Sequence, residues 1–445
     1  MGKKVVDEQV RLVDPVDVDD RSVAAGLPDE VTVALTEIAG AAREGLLALS
    51  VQTGLAVLAE MMEMERTVLC GPVHVKDPDR QATRGGSTPT SVVLGGRRVP
   101  VMRPRVQATD GSGEIGLESF AVVTDSDVLG EVAMERMLAG LATRRYRSAN
   151  EPVGDRVESV ASAQSKSAVS RRFVAGTRKA LDELLGRDLS GLDAVVLMVD
   201  GVDFAGSCCV VAMIITSDGT KVPVGLRQGD TENKTVVTAL LADLGARGLD
   251  ASGGLLVVID GAKALHAAVE SVFGDLAVIQ RCTVHKRRNV AGHLPKIDQA
   301  RIDGRLAAAF AHPDPAQGLV KARALATEVE KRWPDAAGSI REGLEEMFTV
   351  RRLGVDGALL RTLVTTNPIE SMISIARDTS RNVKRWRDEG DMRRRWAAAG
   401  MLQAEKQFRR VKGHKQLPGL IEMLARHAES VTPPRHTDHN NQFAA

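Results

Sequence analysis

The chain has 445 residues and a formal net charge of +1 at pH 7, with 43% hydrophobic and 26% charged residues. This composition is ordinary for a globular protein of two or three domains, and the small net charge does not by itself indicate a nucleic-acid-binding protein. Four cysteines, two of them adjacent, exclude a disulfide framework and indicate a reducing interior. The amino terminus lacks the apolar core of a signal peptide, and no apolar stretch approaches the roughly 20 residues that span a bilayer. We therefore expect a cytoplasmic protein without membrane contact.

The charge is distributed unevenly along the chain. Residues 1–45 contain ten acidic and five basic residues, whereas residues 376–415 contain five acidic and thirteen basic residues. A basic block that faces a phosphate backbone is hidden by the near-neutral average. The uneven charge therefore permits a DNA-binding surface despite the overall balance.

The part of the chain before residue 190 is predicted to contain three regions. Apolar residues three and four apart predict a helix over 30–66, within an N-terminal helical region at 1–66. Short β-type runs with Gly-Gly and Asp-Gly turn signals predict a small β-rich region at 67–125. Helical pattern returns at 126–189, and the segment that starts at Ser165 has a capping serine and a basic face. This suits the second helix of a helix-turn-helix that contacts DNA through Lys166, Arg171 and Arg172, although a charged, solvated helix face explains the composition equally well.

The central region alternates apolar runs with helical pattern. Strands are predicted at 194–199, 208–216, 221–227, 254–259 and 276–281, with helices at 232–247 and 263–273. Three strands, then helix, strand, helix and strand is the element order of a ribonuclease-H-like domain, in which the first and fourth strands are neighbours. Further helical pattern at 301–311, 316–333 and 337–348 predicts an α-helical insertion in this core.

Three carboxylates have informative positions in this arrangement. Asp200 and Asp260 each end an apolar run and precede a glycine, and Glu370 begins a helical stretch. In α/β proteins the carboxyl ends of buried strands carry reactive groups. Three carboxylates brought together repel one another and favour divalent cations, and two such cations are typical of enzymes that act on phosphodiester bonds. The sequence therefore predicts a metal-dependent enzyme that acts on nucleic acid.

The chain resembles the Mutator-type transposases of bacterial insertion sequences, which belong to the DDE group. The resemblance extends over about 140–415, and the Cys-x-x-His block with its basic continuation is its most specific element. A looser similarity includes Arg395-Trp396 and residues 405–413. Four stretches carry the resemblance: Val199-Asp200-Gly201; 225–248 leading to Asp260 through Leu265; Gln280 through Val290; and Thr366-Asn367-Pro368-Ile369-Glu370-Ser371.

This resemblance implies an α/β protein with a ribonuclease-H-like mixed-sheet core, preceded by helical and small β-rich DNA-binding regions. It implies that Asp200 bridges two Mg²⁺ ions, for which Mn²⁺ may substitute, and that Asp260 and Glu370 each complete one coordination shell. The expected regions are the first part of the core at 190–290, the insertion at 291–363, final core helices with the catalytic glutamate at 364–415, and a C-terminal helix with a disordered tail at 416–445.

The remaining candidates are a Cys-His pair, basic residues and two tryptophans. Cys282 and His285 have the spacing of half a zinc site without a completing pair, so we favour a packing motif beside the active site over structural zinc. Trp386 and Trp396 are expected to pack in the core rather than to stack on a frayed base. The basic residues expected to contact phosphate are Lys286, Arg287, Arg288, Lys384, Arg385, Arg393, Arg394 and Arg395.

The expected function is cleavage and transfer of DNA strands at the terminal inverted repeats of an insertion sequence. The partners are double-stranded DNA, both repeat and target, and further copies of the chain in a dimer or higher multimer. Two alternatives remain at this point: a nuclease of the same fold that only hydrolyses DNA, and a DNA-binding protein derived from a transposase that has lost its chemistry.

Overall fold

The computed structural model describes residues 45–432 except 76, 78, 125–127 and 230–232. The chain forms two compact units, an N-terminal unit of Met1–Leu129 with Tyr146–Ala168 and a C-terminal unit of Gly130–Arg145 with Val169–Ala445. The first part of the helix predicted at 30–66 and the tail predicted beyond residue 432 lie outside the described residues.

The α-helices of the described residues are numbered in chain order. They are α1 Leu46–Cys70, α2 Glu118–Ala121, α3 Val128–Leu138, α4 Asp155–Val160, α5 Lys166–Gly186, α6 Lys234–Ala246, α7 Lys263–Phe273, α8 Thr283–Gly292, α9 Lys296–Phe310, α10 Pro315–Glu330, α11 Pro334–Arg341, α12 Thr349–Arg352, α13 Gly357–Leu363, α14 Asn367–Ser380, α15 Met392–Glu405 and α16 Leu417–Val431. The strands are β1 Ala82–Leu94, β2 Arg97–Ala108, β3 Glu114–Ile115, β4 Ala194–Phe204, β5 Ser207–Thr216, β6 Lys221–Gly229, β7 Leu255–Ile259 and β8 Ala277–Arg281.

The N-terminal unit is built on a long β-hairpin. Strands β1 and β2 are antiparallel and are joined at Gly95-Gly96, both with positive φ, which is the geometry that a two-residue hairpin turn requires. The Gly85-Gly86 pair is one of the Gly-Gly turn signals in the predicted β-rich region, and it does not form a turn. It lies inside β1, where the register shifts between Arg84 and Ser87. A glycine pair in a strand permits a bulge as readily as a turn, and here the continuing pairing with β2 determines which one forms.

Helix α1 belongs to the N-terminal unit. Its buried residues, among them Leu58 and Met62, share an apolar cluster with Val99 and Val106 of β2. Met61 and Met64 are exposed, so of the three methionines that the sequence places close together only Met62 packs in this cluster. By length and composition alone α1 is long and apolar enough to cross a membrane, with a mean hydropathy of 1.3. The prediction that no apolar stretch reaches spanning length is therefore wrong by this criterion.

The C-terminal unit contains a five-stranded mixed sheet with the order β6-β5-β4-β7-β8. Strands β6, β5 and β4 are antiparallel to one another, whereas β4, β7 and β8 run parallel. The predicted strands and helices between 194 and 281 are confirmed with small changes at their ends. The prediction that the first and fourth strands of the region are neighbours is also confirmed, because β4 pairs directly with β7.

Helices cover both faces of this sheet, which explains the uninterrupted apolar runs in its central strands. On one face, Met198 of β4 and Val258 of β7 share a cluster with Met372 of α14 and with residues of α5, α13 and α15. On the other face, the alternate residues Leu197 and Val257 pack with α6 and α7. The first face, called here the α14 face, determines where the candidate site forms.

The long segment between Asp260 and Glu370 contains the predicted helices. Helices α9, α10 and α11, together with α8, bury an apolar cluster of their own that is separate from the two clusters of the sheet. Ile302, Leu325 and Phe348 are members of this cluster. The helical insertion thus has an independent core.

Helix α5 contains the segment predicted to read DNA. Ser165 caps its first turn, as predicted, by accepting a hydrogen bond from the Ala168 N–H at 3.2 Å. Its apolar residues, including Phe173 and Leu184, belong to the cluster on the α14 face. Lys166 and Arg171 are exposed and Arg172 is half-buried. Most of α5 is therefore a packed helix of the C-terminal unit whose basic residues lie on its outer side.

Candidate active site

Two of the three predicted carboxylates lie at the same level on neighbouring parallel strands. The pairing of β4 with β7 aligns Val196 with Leu256 and Met198 with Val258. Two residues further along each strand direction are Asp200 and Asp260. Neighbouring strands are separated by about 4.8 Å, and residues two apart lie on the same face. The sheet therefore brings Asp200 and Asp260 together on the α14 face.

The two aspartates have different surroundings. Asp200 is 5% exposed within β4. Asp260 is half-buried just beyond β7, and its Oδ1 accepts a hydrogen bond from the Ala262 N–H at 2.8 Å. Between Asp260 and Ala262, Gly261 has a φ of +105°, a conformation that residues other than glycine rarely adopt. The turn thus fixes one oxygen of Asp260 and leaves the other for a ligand.

Strand β8 extends the same row to Cys282. The pairing of β7 with β8 aligns Val258 with Gln280, and Cys282 follows two residues later, donating its N–H to the Ile259 carbonyl at 2.7 Å. The Cys282 thiol is buried and accepts a hydrogen bond from the Thr366 N–H at 3.4 Å. Cys282 therefore links the end of the sheet to the start of the helix that carries Glu370.

Thr366 connects the three side chains of this corner. Its Oγ1 donates to Glu370 Oε1 at 2.6 Å and lies 3.3 Å from His285 Nδ1. Because the hydroxyl has a single proton, a protonated His285 completes the arrangement by donating to Thr366 Oγ1. The potential ligand atoms of Cys282, His285 and Glu370 lie within 4.8 Å of one another. Among the described residues, Cys282, His285 and Glu370 are the set of side chains that lie close enough together to hold one metal ion. Asp200 and Asp260 do not belong to this set.

Charge and burial set an unusual protonation state at His285. The hydrogen bond with Cys282 raises the pKa of His285 to about 9 despite partial burial, and the nearby charges of Asp200 and Glu370 contribute. Burial tends to raise the pKa of the Cys282 thiol, but the hydrogen bond from His285 makes it lower than usual. His285 is therefore positively charged at neutral pH. Since Asp200 and Glu370 both act on its pKa, the same imidazolium faces carboxylates from the sheet and from α14.

Helix α14 positions Glu370. The helix begins at Asn367 with a proline in its first turn, a position where the missing N–H costs nothing. Ile369 and Ile373 are buried against the sheet, so the first turn is anchored beside it. Glu370 lies in this first turn, where the partial positive charge of the helix terminus favours a carboxylate.

Two of the predicted phosphate contacts are buried and have partners within the protein. Lys286 is 3% exposed and donates to the carbonyls of Ser339 and Glu342 at 2.8 Å each. Arg395 is 6% exposed and donates to the Gly390 carbonyl and to Thr177 Oγ1. The prediction that these two residues contact phosphate is therefore wrong.

Arg287 has a different local partner. Its guanidinium forms a two-pronged ion pair with Asp303 of α9. Such a pair compensates the charge of Arg287 within the protein. Its main role is to connect α8 with α9.

The other basic candidates remain accessible to different degrees. Arg288, Lys384 and Arg385 are exposed and have no ion-pair partner among the described residues. Arg393 pairs with Asp388, and Arg394 pairs with Asp391 at 3.1 Å. The first three are thus the stronger candidates for phosphate contacts.

The two tryptophans pack within the protein, as predicted. Trp396 is 6% exposed, and its ring lies 4.6 Å from that of Phe173 and 6.3 Å from that of Trp386. Trp386 in turn contacts Phe204 at a ring separation of 5.8 Å. Asp203, which follows Asp200 in β4, is exposed, and its Oδ1 accepts the Gly206 N–H at 3.2 Å, so it is a surface residue.

Sequence reasoning missed a charged network beside Asp260. Arg281 of β8 is 6% exposed, pairs with Glu346, and donates to the Gly261 carbonyl at 3.2 Å. His266 approaches the other oxygen of Glu346 at 2.7 Å. A Cβ at Gly343 (φ +58°) would lie 2.4 Å from the Arg281 guanidinium carbon. The network connects the insertion to the turn that follows Asp260. In the sequence, its one local sign is that a basic residue, Arg281, ends an apolar strand.

Comparison with known proteins gives a consistent result. The family model described as "Transposase, Mutator family" matches residues 31–406. A transposase for insertion sequence element IS6120 from Mycolicibacterium smegmatis is 29% identical over 197 residues, covering 43% of this chain and 59% of that protein. A transposase for insertion sequence element IST2 from Acidithiobacillus ferrooxidans is 27% identical, covering 40% of this chain and 58% of that protein.

A third relative extends the match over more of the chain. The transposase for insertion sequence element ISRM5 from Rhizobium meliloti is 28% identical over 245 residues, 54% of this chain and 59% of that protein. The chain thus spans about three fifths of the length of these curated relatives. Because the family model covers most of the sequence, from the region before the hairpin to the end of α15, the chain belongs to the Mutator family of transposases.

Proposed function

We propose that this chain catalyses metal-dependent cleavage and transfer of DNA strands at the ends of its own insertion sequence, with Asp200, Asp260 and Glu370 as the catalytic residues. The observation that supports this most strongly is the alignment of Asp200 with Asp260 on neighbouring parallel strands of the α14 face. The charges of Glu370 and Asp200 both raise the pKa of His285, so both carboxylates lie near the same imidazolium. We also propose that the sheet order represents a ribonuclease-H-like core.

The donor set fits hard divalent cations. Carboxylate oxygens are the preferred ligands of Mg²⁺ and also suit Mn²⁺. Asp260 keeps one carboxylate oxygen free of the contact with Ala262, and Glu370 keeps Oε2 free of the contact with Thr366. In this proposal Asp200, Asp260 and Glu370 hold two ions, which when bound activate the attacking oxygen and stabilise the leaving oxygen.

The protein residues prepare this site in the absence of cations. The buried Asp200 carboxylate is costly to desolvate, and the His285 imidazolium supplies a compensating charge. Thr366 fixes the orientation of Glu370 through its 2.6 Å hydrogen bond. The Cys282–His285 pair is therefore proposed as a positioning element that holds α14 against the end of the sheet. This role agrees with the packing motif favoured over structural zinc.

DNA and further copies of the chain are the proposed partners. Exposed Lys384, Arg385 and Arg288 carry uncompensated charge that suits phosphate contacts. Because two ends of an element must be joined to one target, we propose that the active form is a dimer or a higher multimer. The outer side of α5, with Lys166 and Arg171, is a further candidate surface for the duplex.

The test uses labelled duplex that carries the end of the element, taken from the DNA flanking the gene, with Mg²⁺ or Mn²⁺. Wild type should release 3′-hydroxyl ends and join them to new DNA, whereas Asp260→Asn should do neither. Asp203→Asn is the matched control, because Asp203 is an exposed aspartate only three residues from Asp200 in the same strand. Cleavage without joining would indicate a nuclease, and binding without chemistry in either metal would indicate a DNA-binding derivative.

A further inference from the structure

A cavity of about 480 Å³ lies between the helical insertion and the segment that leads to Glu370. This volume is within the range of roughly 300–1,000 Å³ that is typical of ligand pockets. Helices α8, α9, α12 and α13 form its walls. The residues that the argument uses are Thr283, Phe310, Arg351, Leu360, Arg361 and Val364.

One part of the cavity wall is apolar and contains an aromatic ring. Phe310 is half-buried at the end of α9, and its ring lies 5.7 Å from that of Phe348 at an angle of 71°. Leu360 and Val364 line the cavity with it. Because Phe348 fixes the orientation of Phe310, the wall is a preformed surface for a flat, apolar group.

The other part of the wall is cationic. Arg351 and Arg361 line the cavity, and neither pairs with a carboxylate among the described residues. The Nη2 of Arg351 donates to the Ala311 carbonyl at 3.3 Å, and this is the one hydrogen bond of its side chain among the described residues. A guanidinium has five N–H donors in a fixed fork, so the part of Arg351 that lines the cavity suits an anion. The third arginine of the lining, Arg287, pairs with Asp303. The cavity thus combines a flat apolar wall with two guanidinium groups that have no carboxylate partner among the described residues.

The wall of the cavity is close along the chain to residues of the candidate active site. Both the N–H and the Oγ1 of Thr283 donate to the Val364 carbonyl, at 2.9 and 3.1 Å. Thr283 follows Cys282, and Val364 is two residues before Thr366, which orients Glu370. The cavity wall therefore includes a residue next to Cys282 and a residue two positions before Thr366, and a hydrogen-bonded pair joins them.

We propose that this cavity accepts one unpaired nucleotide of the DNA strand that is being processed, with its phosphate at Arg351 and Arg361 and its base against Phe310 and Leu360. The proposal rests on the function proposed above, because the strand must pass Glu370. A duplex does not fit: a volume of 480 Å³ equals a cube about 8 Å on a side, whereas the major groove of B-DNA alone is about 12 Å wide. A flat base with an attached phosphate matches both parts of the wall.

The test places 2-aminopurine at successive positions around the cleavage point of the element-end duplex. Its fluorescence is quenched by stacking in a duplex and increases when the base leaves the stack. Bound wild type should give a several-fold increase at one position. Phe310→Leu, which keeps the apolar volume without the aromatic face, and Arg361→Ala should each reduce that increase by roughly fivefold or more, because fewer complexes hold the base out of the stack.

Matched controls separate this proposal from the function on which it rests. Arg352→Ala removes an exposed arginine next to Arg351 that pairs with Glu345 and does not line the cavity, so it should retain the full response. An equal response in Phe310→Leu, Arg361→Ala and wild type would overturn the proposal, because the unstacked base would then lie elsewhere. Wild type that cleaves and joins DNA without any increase would also overturn it while leaving the proposed function intact. Wild type that does neither would count against the proposed function itself.

Discussion

Replacing Glu346 by alanine tests the charged network that connects the insertion to the Asp260 turn. Arg281 has a side chain that is 7% exposed and pairs with Glu346, which is 24% exposed. Removing one partner of a fully buried ion pair costs about 3–5 kcal/mol, mainly because the remaining charge is left buried. Arg281 keeps a contact with the Gly261 carbonyl and has Glu342 at 3.8 Å. We therefore expect Glu346→Ala to reduce the free energy of unfolding by about 2–3 kcal/mol.

The neighbouring residue provides the control. Glu345 pairs with Arg323 and Arg352, but its side chain is 51% exposed and those of its partners are 61% and 45% exposed. Exposed ion pairs contribute about 0–1 kcal/mol, so Glu345→Ala should have little effect on stability. Urea denaturation followed by circular dichroism measures both variants, and the slope with denaturant should remain that of wild type.

The same pair of variants tests whether the network affects the site. Arg281 holds the Gly261 carbonyl, and Gly261 follows Asp260 directly. Glu346→Ala should therefore also reduce the rate of DNA cleavage at a temperature where the variant is fully folded, whereas Glu345→Ala should not. Equal stability and equal cleavage rates in the two variants would refute the reasoning, since Arg281 would then not depend on Glu346.

Three further predictions concern cysteine reactivity, pH and salt. Cys208 should react with iodoacetamide before Cys209, because burial raises the pKa of Cys209 to about 11, and mass spectrometry of labelled peptides would show the reverse order if this is wrong. Folding raises the pKa of His285 to about 9, so in EDTA wild type should be more stable than His285→Gln, fully so below pH 6.5, and this difference should be lost as pH rises through about 9. Urea denaturation at several pH values measures the difference, and a difference that grows with pH would contradict the prediction. Replacing Lys384 and Arg385 together by alanine should reduce the salt slope of DNA binding by about two, and an anisotropy titration with an unchanged slope would remove both from the phosphate footprint.

The sheet and its carboxylates could be predicted because the relevant information is local. The apolar runs that end at Asp200 and Asp260 have the length and composition of strands buried on both faces, and the order of elements determines which strands are neighbours. The sequence also predicted the Cys282 block as a packing motif, and the potential ligand atoms of Cys282 and His285 lie within 4.8 Å of that of Glu370. The sequence did not show the hydrogen bonds that join this block to α14 through Thr366.

Predictions failed where distant residues determine the environment. Lys286 looks like a phosphate contact beside Arg288, but its acceptors are carbonyls 53 and 56 residues away, in and just after α11. Arg395 is likewise buried, and it donates a hydrogen bond to Thr177, 218 residues earlier. The sequence of a basic cluster therefore does not show which of its residues is exposed, because this depends on how the insertion and α5 pack against them.

The most direct test of the central claim is a change of metal preference at Asp260. Asp260→Cys replaces a hard carboxylate with a thiolate, which binds Mg²⁺ poorly and Mn²⁺ better. If Asp260 is a metal ligand, this variant should not cleave element-end DNA in Mg²⁺ and should regain cleavage in Mn²⁺, whereas Asp203→Cys should cleave in both. Equal activity of Asp260→Cys in the two metals, or equal loss in both while the protein remains folded, would contradict the assignment of Asp260 to a metal site.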